Sequence, residues 1–135
     1  MNIDKKFELV NIAYNNAYAA YSSFKVGAVV ILQDDSYFLG CNVENASYGL
    51  SNCAERSALF SAYSNGYRKK DIKELVLIGK GIDFLYPCGA CRQVISELME
   101  KDAKITLFKL DKSYKEITVK ELLPYCFSEE DLNAK

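Results

Sequence analysis

The sequence predicts a single α/β domain in which one sheet is covered by helices on both faces. Short aliphatic runs such as KVGAVVIL and LVLIG are typical of buried strands, and they alternate with segments whose apolar residues recur every three or four positions. A chain of 135 residues, half of them hydrophobic, can bury one core but is too short for two ordinary domains. We therefore expect residues 1–135 to form one domain.

The first half of the chain is predicted to contain a helix, a β-hairpin and a second helix. Apolar residues in segment 4–21 fall three and four apart, as in an amphipathic helix, and Asp4 is predicted to be its N-cap. Residues 25–32 and 37–43 are predicted to be strands, because the QDDS sequence between them is typical of a turn. An irregular segment then leads to a helix predicted over residues 53–63.

The second half is predicted to add three strands and one more helix. The strands are expected at residues 75–79, 104–110 and 116–119. The helix is expected at residues 88–99, because the apolar side chains near its end share one face. The sequence shows no repeats, low-complexity tracts or linkers, so strands and helices alternate throughout.

The charge balance argues against a nucleic-acid or membrane partner. There are 17 basic and 18 acidic residues, a formal net charge of −1, and no run of Lys or Arg forms a basic stripe. The first residues, MNIDKKFELV, lack the apolar centre of a signal peptide, and no segment approaches the roughly 18 apolar residues of a membrane span. We expect a cytoplasmic protein that binds a small, weakly charged ligand.

Five cysteines and the absence of histidine restrict the possible chemistry. An odd number of cysteines without an export signal favours reduced thiols that serve a metal or catalysis. Without histidine, a transition-metal site must be built from thiolates and carboxylates, and proton transfer near neutral pH falls to Glu, Asp, Cys, Lys or Tyr. Nucleophilic sites of the Ser–His and Cys–His types are excluded.

Three cysteines and one glutamate form the strongest candidate site. Cys88 and Cys91 form a C-x-x-C at the start of one predicted helix, and Cys53 begins another. A C-x-x-C alone is also compatible with a redox pair, half of a zinc knuckle or two core thiols. Helix N-termini favour thiolates, however, and Glu55 lies two residues from Cys53. Three thiolates could hold Zn²⁺ with its fourth position open beside a carboxylate, as in catalytic zinc sites.

The order C-A-E followed by P-C-x-x-C is similar to the signature of zinc-dependent nucleoside deaminases. The stretches YSSFKVGAVV, GCNVENASYGLSNCAER, PCGACRQV and ELLPYCFSEEDL resemble the small cytidine deaminases of free nucleosides in order and spacing. The resemblance implies a three-layer α-β-α fold with a five-stranded mixed sheet. It also implies deamination of cytidine and 2′-deoxycytidine to uridine and 2′-deoxyuridine, with release of ammonia, in pyrimidine salvage.

The resemblance assigns roles to the candidate site. Cys53, Cys88 and Cys91 would bind one Zn²⁺ per subunit, in agreement with their positions in the sequence. Glu55 would take a proton from the attacking water, pass it to N3 of cytosine, and then protonate the departing amino group.

Arg56 and Gln93 are expected to support the metal site. Three thiolates give the zinc and its ligands a net charge of −1, which makes the metal a poorer Lewis acid. We expect Arg56 to offset this charge by donating hydrogen bonds to thiolate sulfur, and Gln93 to orient the guanidinium. The alternative for Arg56 is an ordinary ion pair at the surface.

Four further residues are expected to contact the nucleoside. Asn42 and Glu44 are two apart at the end of a predicted strand, so their side chains point to the same face. The resemblance assigns both to the ribose, chiefly to its 3′-hydroxyl, although N-x-E alone would indicate a solvated turn. It also assigns Phe24 to the pyrimidine ring and the backbone of Ala54 to the pyrimidine edge. By pattern alone, Phe24 would be a core residue.

Phe127, in the stretch LLPYCFSEEDL, is connected with assembly. Taken alone, an aromatic residue near the end of a chain is most simply a plug over the core. The resemblance implies instead that this phenylalanine reaches the active site of a neighbouring subunit, in a homotetramer with composite sites.

Three alternatives stay open at this point. A structural zinc module would use Cys41 or Cys126 as a fourth thiolate and so close the site. A related deaminase could act on another aminopyrimidine, such as blasticidin S. A deaminase acting on RNA or tRNA is disfavoured because the sequence lacks a basic surface.

Overall fold

Five strands form one mixed sheet in the computed structural model, which describes residues 1–133. In chain order they are β1 (Val26–Leu32), β2 (Tyr37–Cys41), β3 (Ile72–Gly79), β4 (Lys104–Phe108) and β5 (Tyr114–Thr118). Their order across the sheet is β2-β1-β3-β4-β5, in which β3 and β4 are parallel and the other neighbours antiparallel. The predicted five-stranded mixed sheet is confirmed.

Helices cover both faces of this sheet. The α-helices are α1 (Ile3–Asn15), α2 (Ala54–Ser64), α3 (Gly89–Leu98), α4 (Val119–Leu122) and α5 (Glu129–Asn133). Single 3₁₀ turns lie at Tyr48–Leu50 and Lys69–Asp71. Within residues 1–133, none of the helices has the length and apolar character that crossing a membrane requires.

Two hydrophobic clusters, one on each face, hold the layers together. On one face, Leu9 and Val10 of α1 pack against alternate residues of the central strands, among them Val29 and Val76. On the other face, α2 and α3 pack against the intervening strand residues, in a cluster that includes Ala28, Val30, Ala58, Leu59, Leu75, Leu77, Ile95 and Leu107. The alternation of strand side chains therefore builds both cores from the same strands, which confirms the three-layer arrangement.

Strand direction brings the starts of two helices to the same end of the sheet. Both β2 and β3 are antiparallel to β1, so they run in the same direction and terminate at the same end of the sheet. The chain continues from β2 to α2 and from β3 to α3. Strand β1 begins at this end of the sheet as well. The N-termini of α2 and α3 and the start of β1 therefore lie close together.

A glycine in β2 allows α2 to pack closely on the sheet. A Cβ added at Gly40 would lie 2.4 Å from the backbone nitrogen of Ala58 and 2.6 Å from the carbonyl oxygen of Ala54. Because these are backbone atoms, they cannot move aside as a flexible side chain would. The position of α2, and of the residues at its N-terminus, therefore depends on the missing side chain at Gly40.

Two predicted boundaries near the N-terminus are wrong. Helix α1 ends at Asn15, not near residue 21, and its N-cap is Asn2, not Asp4, since the Asn2 side chain accepts a hydrogen bond from the Lys5 amide at 2.8 Å. Tyr18 leaves the helix because its backbone pairs with the segment after β2: its amide donates to the Asn42 carbonyl at 2.9 Å.

The predicted end of β2 also differs from the structure. The strand ends at Cys41, two residues earlier than expected, because Val43 no longer pairs with β1. Val43 instead forms isolated bridges with Tyr18 and with Asn52. The two cleft candidates Asn42 and Glu44 therefore lie in a short connecting segment held by long-range backbone bonds.

Candidate metal centre and active site

Three cysteine thiols come together where α2 and α3 begin. Cys53 is the N-cap of α2, Cys88 is the N-cap of α3, and Cys91 lies in the first turn of α3. Their sulfur atoms all lie within 4.8 Å of one another. Such a cluster of soft donors fits Zn²⁺, which thiolates bind in a tetrahedral arrangement.

The helix starts leave the two capping sulfurs available. Cys53 and Cys88 have extended backbones, and neither side chain makes a capping hydrogen bond. Their carbonyl groups nevertheless accept the first helical bonds, from the Ser57 amide at 3.0 Å and the Arg92 amide at 2.9 Å. The unpaired N–H groups and the dipole at each helix start favour negative charge on the nearby sulfurs.

No fourth thiol joins this cluster in the part of the chain that the structure describes. The Cys41 thiol lies elsewhere and donates to the Asn16 carbonyl at 3.5 Å. Cys126 also lies outside the cluster. The geometry therefore favours a three-thiol site with a free coordination position over the closed four-thiol alternative.

Arg56 contacts the thiol cluster as predicted. Its Nη2 donates to the Cys53 sulfur at 3.3 Å. Hydrogen bonds from the Cys91 thiol and from Arg56 lower the pKa of Cys53 to about 5. In return, the hydrogen bond to Cys53 raises the pKa of the guanidinium. Arg56 is therefore placed to balance the charge of a thiolate-rich site.

Gln93 has a different partner from the one expected. Its side-chain amide donates to the backbone carbonyl of Phe127 at 2.8 Å. Among the described residues it makes no hydrogen bond to Arg56, whose Nε is buried without a partner. The prediction that Gln93 orients the guanidinium is thus not supported, because the Gln93 side-chain amide is hydrogen-bonded to the Phe127 carbonyl instead.

Glu55 lies beside the thiols and is almost fully buried, with 4% of its surface exposed. Burial raises the pKa of its carboxyl group, and the nearby Cys53 adds to this effect. A carboxyl group with a raised pKa can accept and return a proton near neutral pH. Glu55 also borders an open cleft, so a bound substrate can reach it.

The cleft has a volume of about 410 Å³ and two chemically different ends. One end, which we call the thiol end, is bordered by Cys53, Glu55 and Cys88. The other, which we call the loop end, is bordered by four residues near the start of β1 and after β2: Ser22, Phe24, Asn42 and Glu44. The size is within the range of small-molecule sites.

Glu44 and Asn42 both hold the loop before β1. The Glu44 carboxylate accepts hydrogen bonds from the backbone amides of Tyr21 at 2.9 Å and Ser22 at 3.0 Å, and from the Ser22 hydroxyl. These bonds lower the pKa of Glu44. The Asn42 side chain accepts from the Val26 amide at 2.9 Å and donates to the Phe24 carbonyl at 2.8 Å.

The remaining predicted residues lie in different surroundings. Phe24 borders the cleft and is 38% exposed, so it is not the core residue that pattern alone indicates. Ala54 is fully buried at the start of α2 and does not border the cleft. Phe127 is 58% exposed and does not border this cleft within its own chain.

Several residues that border the cleft were not singled out from the sequence. They are Ser22, Val26, Ser51, Asn52, Leu85 and Tyr86. Their proximity in the sequence to predicted site residues could have indicated two of them, because Ser22 lies two residues before Phe24 and Tyr86 lies two residues before Cys88. None of these residue types predicts by itself that the residue contacts a bound substrate.

Comparison with known proteins agrees with this geometry. The family model described as the cytidine and deoxycytidylate deaminase zinc-binding region matches residues 2–107. The chain belongs to the cytidine deaminase family. As a member, it is a hydrolytic deaminase with a zinc-binding region, and its thiol cluster can hold the metal.

Individual relatives support the same assignment. A cytidine deaminase of Halalkalibacterium halodurans is 49% identical over 121 residues, which span 90% of each chain. One of Sporosarcina psychrophila is 41% identical over 98% of this chain and 96% of the relative. The crystal structure of a cytidine deaminase from Burkholderia pseudomallei superposes with a TM-score of 0.90 at 43% identity, covering 94% of this chain and all of the other.

Proposed function

We propose that this enzyme hydrolyses the exocyclic amino group of cytidine and 2′-deoxycytidine, yielding uridine or 2′-deoxyuridine and ammonia. The observation on which this depends most is the position of Glu55, buried at 4% exposure beside three clustered thiols and open to one cleft. We infer a role in pyrimidine salvage in the cytoplasm, which is in keeping with thiols that must stay reduced to bind a metal.

Cys53, Cys88 and Cys91 are the proposed zinc ligands, one ion per subunit. The bound metal supplies Lewis acidity, which makes water a good nucleophile near neutral pH. The donation from Arg56 to Cys53 reduces the excess negative charge of three thiolates.

Glu55 is the proposed proton carrier. Its raised pKa suits a group that must accept a proton from water and release it again. We infer that Glu55 delivers this proton to N3 of the pyrimidine, which makes C4 more electrophilic. In the second half of the reaction Glu55 takes the proton of the new C4 hydroxyl group and delivers it to the amino group, so that the C4=O bond forms as the C4–N bond breaks and ammonia leaves. The burial of Glu55 limits proton exchange with bulk water.

The loop end of the cleft is the proposed nucleoside-recognition region. We infer that Phe24, which borders the cleft, contacts the pyrimidine ring. We also infer that the backbone of Ala54, at the start of α2, meets the polar edge of the pyrimidine. Asn42 and Glu44 face the ribose in this arrangement, in addition to holding the loop before β1. Specificity for a 3′-hydroxyl would admit both the ribo- and the deoxyribonucleoside.

A spectrophotometric assay of purified protein, with zinc measured in the same sample, tests this proposal. We expect loss of cytidine absorbance with close to one zinc per chain. Blasticidin S and a cytidine-containing oligonucleotide are the competing substrates. Faster turnover of either, or zinc-loaded protein that leaves cytidine unchanged, would reject the proposed substrate.

We further propose a homotetramer in which Phe127 completes the cleft of a neighbouring subunit. Phe127 is exposed and lies outside its own cleft, and the cleft itself is open, which leaves room for a partner's ring. Mixing F127A subunits with E55A subunits should restore some activity, because a hybrid can pair an intact Glu55 with an intact Phe127. A fully active monomer in sedimentation, or no recovery in hybrids proven to form, would contradict this assembly.

A further inference from the structure

The loop between β3 and α3 forms one wall of the cleft. It also contacts the β4–β5 hairpin, which lies at one edge of the sheet. Leu85 and Tyr86 border the cleft, and Cys88 follows after one intervening residue, Pro87. Leu85 is packed against the end of β3, where a Cβ added at Gly79 would lie 2.5 Å from its Cδ2 atom. Tyr86 is 40% exposed and therefore has less packing to hold its ring in place.

Two lysines from the β4–β5 hairpin contact aromatic residues of this loop. The Lys109 ammonium lies 4.8 Å from the ring centroid of Phe84. The Lys115 ammonium lies 5.5 Å from the ring centroid of Tyr86 and donates a hydrogen bond to its hydroxyl at 2.9 Å. Cation–aromatic contacts at exposed positions are weak, but a hydrogen bond from a charged donor adds direction to the second one.

The sheet register explains how Lys115 reaches the loop. Lys115 of β5 is paired with Leu107 of β4, so both side chains point to the same face. Leu107 belongs to the cluster beneath α2 and α3. Lys115 therefore projects on the side from which the loop enters α3, and a long flexible side chain spans the remaining distance.

We propose that Lys115 is a positioning residue that holds the Tyr86 ring in place as a wall of the nucleoside cleft. Tyr86 itself is the specificity-determining contact, and Lys115 acts only through it. The inference rests on the proposed function for the identity of the nucleoside. Loss of the lysine frees the exposed ring to rotate into solvent, so substrate binding weakens while the thiol end is unaffected.

Kinetics of four variants test this inference. K115M should raise the KM for cytidine by about threefold to tenfold, the range expected for the loss of one ordinary hydrogen bond, with kcat and zinc content nearly constant. K115R should restore the KM. Y86F should resemble K115M, and the double variant should be no worse than either single one. K104M is the matched control, because Lys104 lies on the same hairpin and pairs with Glu116 at 3.2 Å.

Hydrogen exchange of the peptide covering residues 80–87 provides a readout that does not need the substrate. Exchange should be faster in K115M than in wild type and unchanged in K104M. An unchanged KM in K115M, or equal exchange in all three proteins, would overturn the proposal. If the wild-type protein does not deaminate cytidine, the proposed function is wrong. The hydrogen-exchange result still decides whether Lys115 holds the loop.

Discussion

The two ends of the cleft are built in different ways. At the thiol end, the side chains lie at the starts of two packed helices, Cys91 is fully buried, and Glu55 is nearly so. At the loop end, the residues stand on exposed connections, and Ser23 adopts a positive φ of 59° between Ser22 and Phe24. The proposed zinc ligands and Glu55 thus lie at the starts of helices that pack on the core, whereas the proposed recognition residues are held by a few polar contacts.

This difference separates the expected effects of substitution. A change at the thiol end should abolish metal binding or turnover, because no neighbouring group can replace the lost one. A change at the loop end should raise the KM and leave metal content and fold intact. The four predictions below run from the largest expected effect to the smallest.

Replacement of Cys91 by serine should have the largest effect. We expect near-complete loss of zinc and of cytidine deamination, because two thiolates leave the metal under-coordinated. Metal analysis by mass spectrometry of the purified variant is the measurement. C126S is the matched control and should retain its zinc, since Cys126 lies outside the thiol cluster. Full zinc occupancy in C91S would remove Cys91 from the ligand set.

Glu55→Gln should separate chemistry from metal binding. We expect kcat to fall by about a thousandfold, as for loss of a general acid–base group, while zinc stays bound. The amide keeps the size of the side chain but cannot take a proton from water. Rate and zinc content should be measured on one preparation. A variant with more than a tenth of the wild-type rate would exclude Glu55 as the proton carrier.

Gly40→Ala tests whether the thiol end depends on close packing of α2. The added methyl group would overlap the backbone of Ala58, so we expect a loss of about 2 kcal/mol in unfolding free energy together with reduced zinc content. Denaturant unfolding followed by circular dichroism measures the first. Gly49→Ala is the control, because nothing lies within 4 Å of its added Cβ. Equal stability of the two variants would contradict the packing argument.

Glu44→Gln should have the smallest of the four effects, confined to the loop end. We expect the KM for cytidine to rise by about tenfold, because an amide accepts weaker hydrogen bonds from the 21–22 loop and from a sugar hydroxyl. Zinc content and kcat should change little. Glu8→Gln, at an exposed position of α1, is the matched control. Loss of zinc in E44Q would show that the two ends are not separable.

The sequence was informative wherever a pattern reflected local structure. Aliphatic runs placed the central strands, and the positions of Cys53 and Cys88 at helix starts were read correctly from the apolar pattern behind them. The end of α1 was missed because its apolar spacing continues to residue 21. The backbone pairing of Tyr18 with the segment after β2 overrides that pattern, and a single sequence does not show such long-range pairing.

The candidate site shows the same division. The thiol end was predictable because few arrangements explain three cysteines and a glutamate in this spacing. The partner of Gln93 was not predicted, because the Phe127 carbonyl that accepts its hydrogen bond lies in a distant segment without a recognisable pattern. Tyr86 was overlooked for a related reason, since its place beside the cleft depends on the path of the loop before α3, and its hydrogen bond comes from Lys115 of another strand.

The position of β3 between β1 and β4 leads us to expect a definite order in which the proposed metal ligands meet during folding. We expect Cys88 and Cys91 to come together as soon as the first turn of α3 forms, and Cys53 to reach them only after β3 has paired with β1. A metal ion captured early would therefore have two protein ligands and gain the third late. Refolding monitored through cobalt–thiolate absorption should show this as two successive spectral changes, the second coinciding with formation of the sheet.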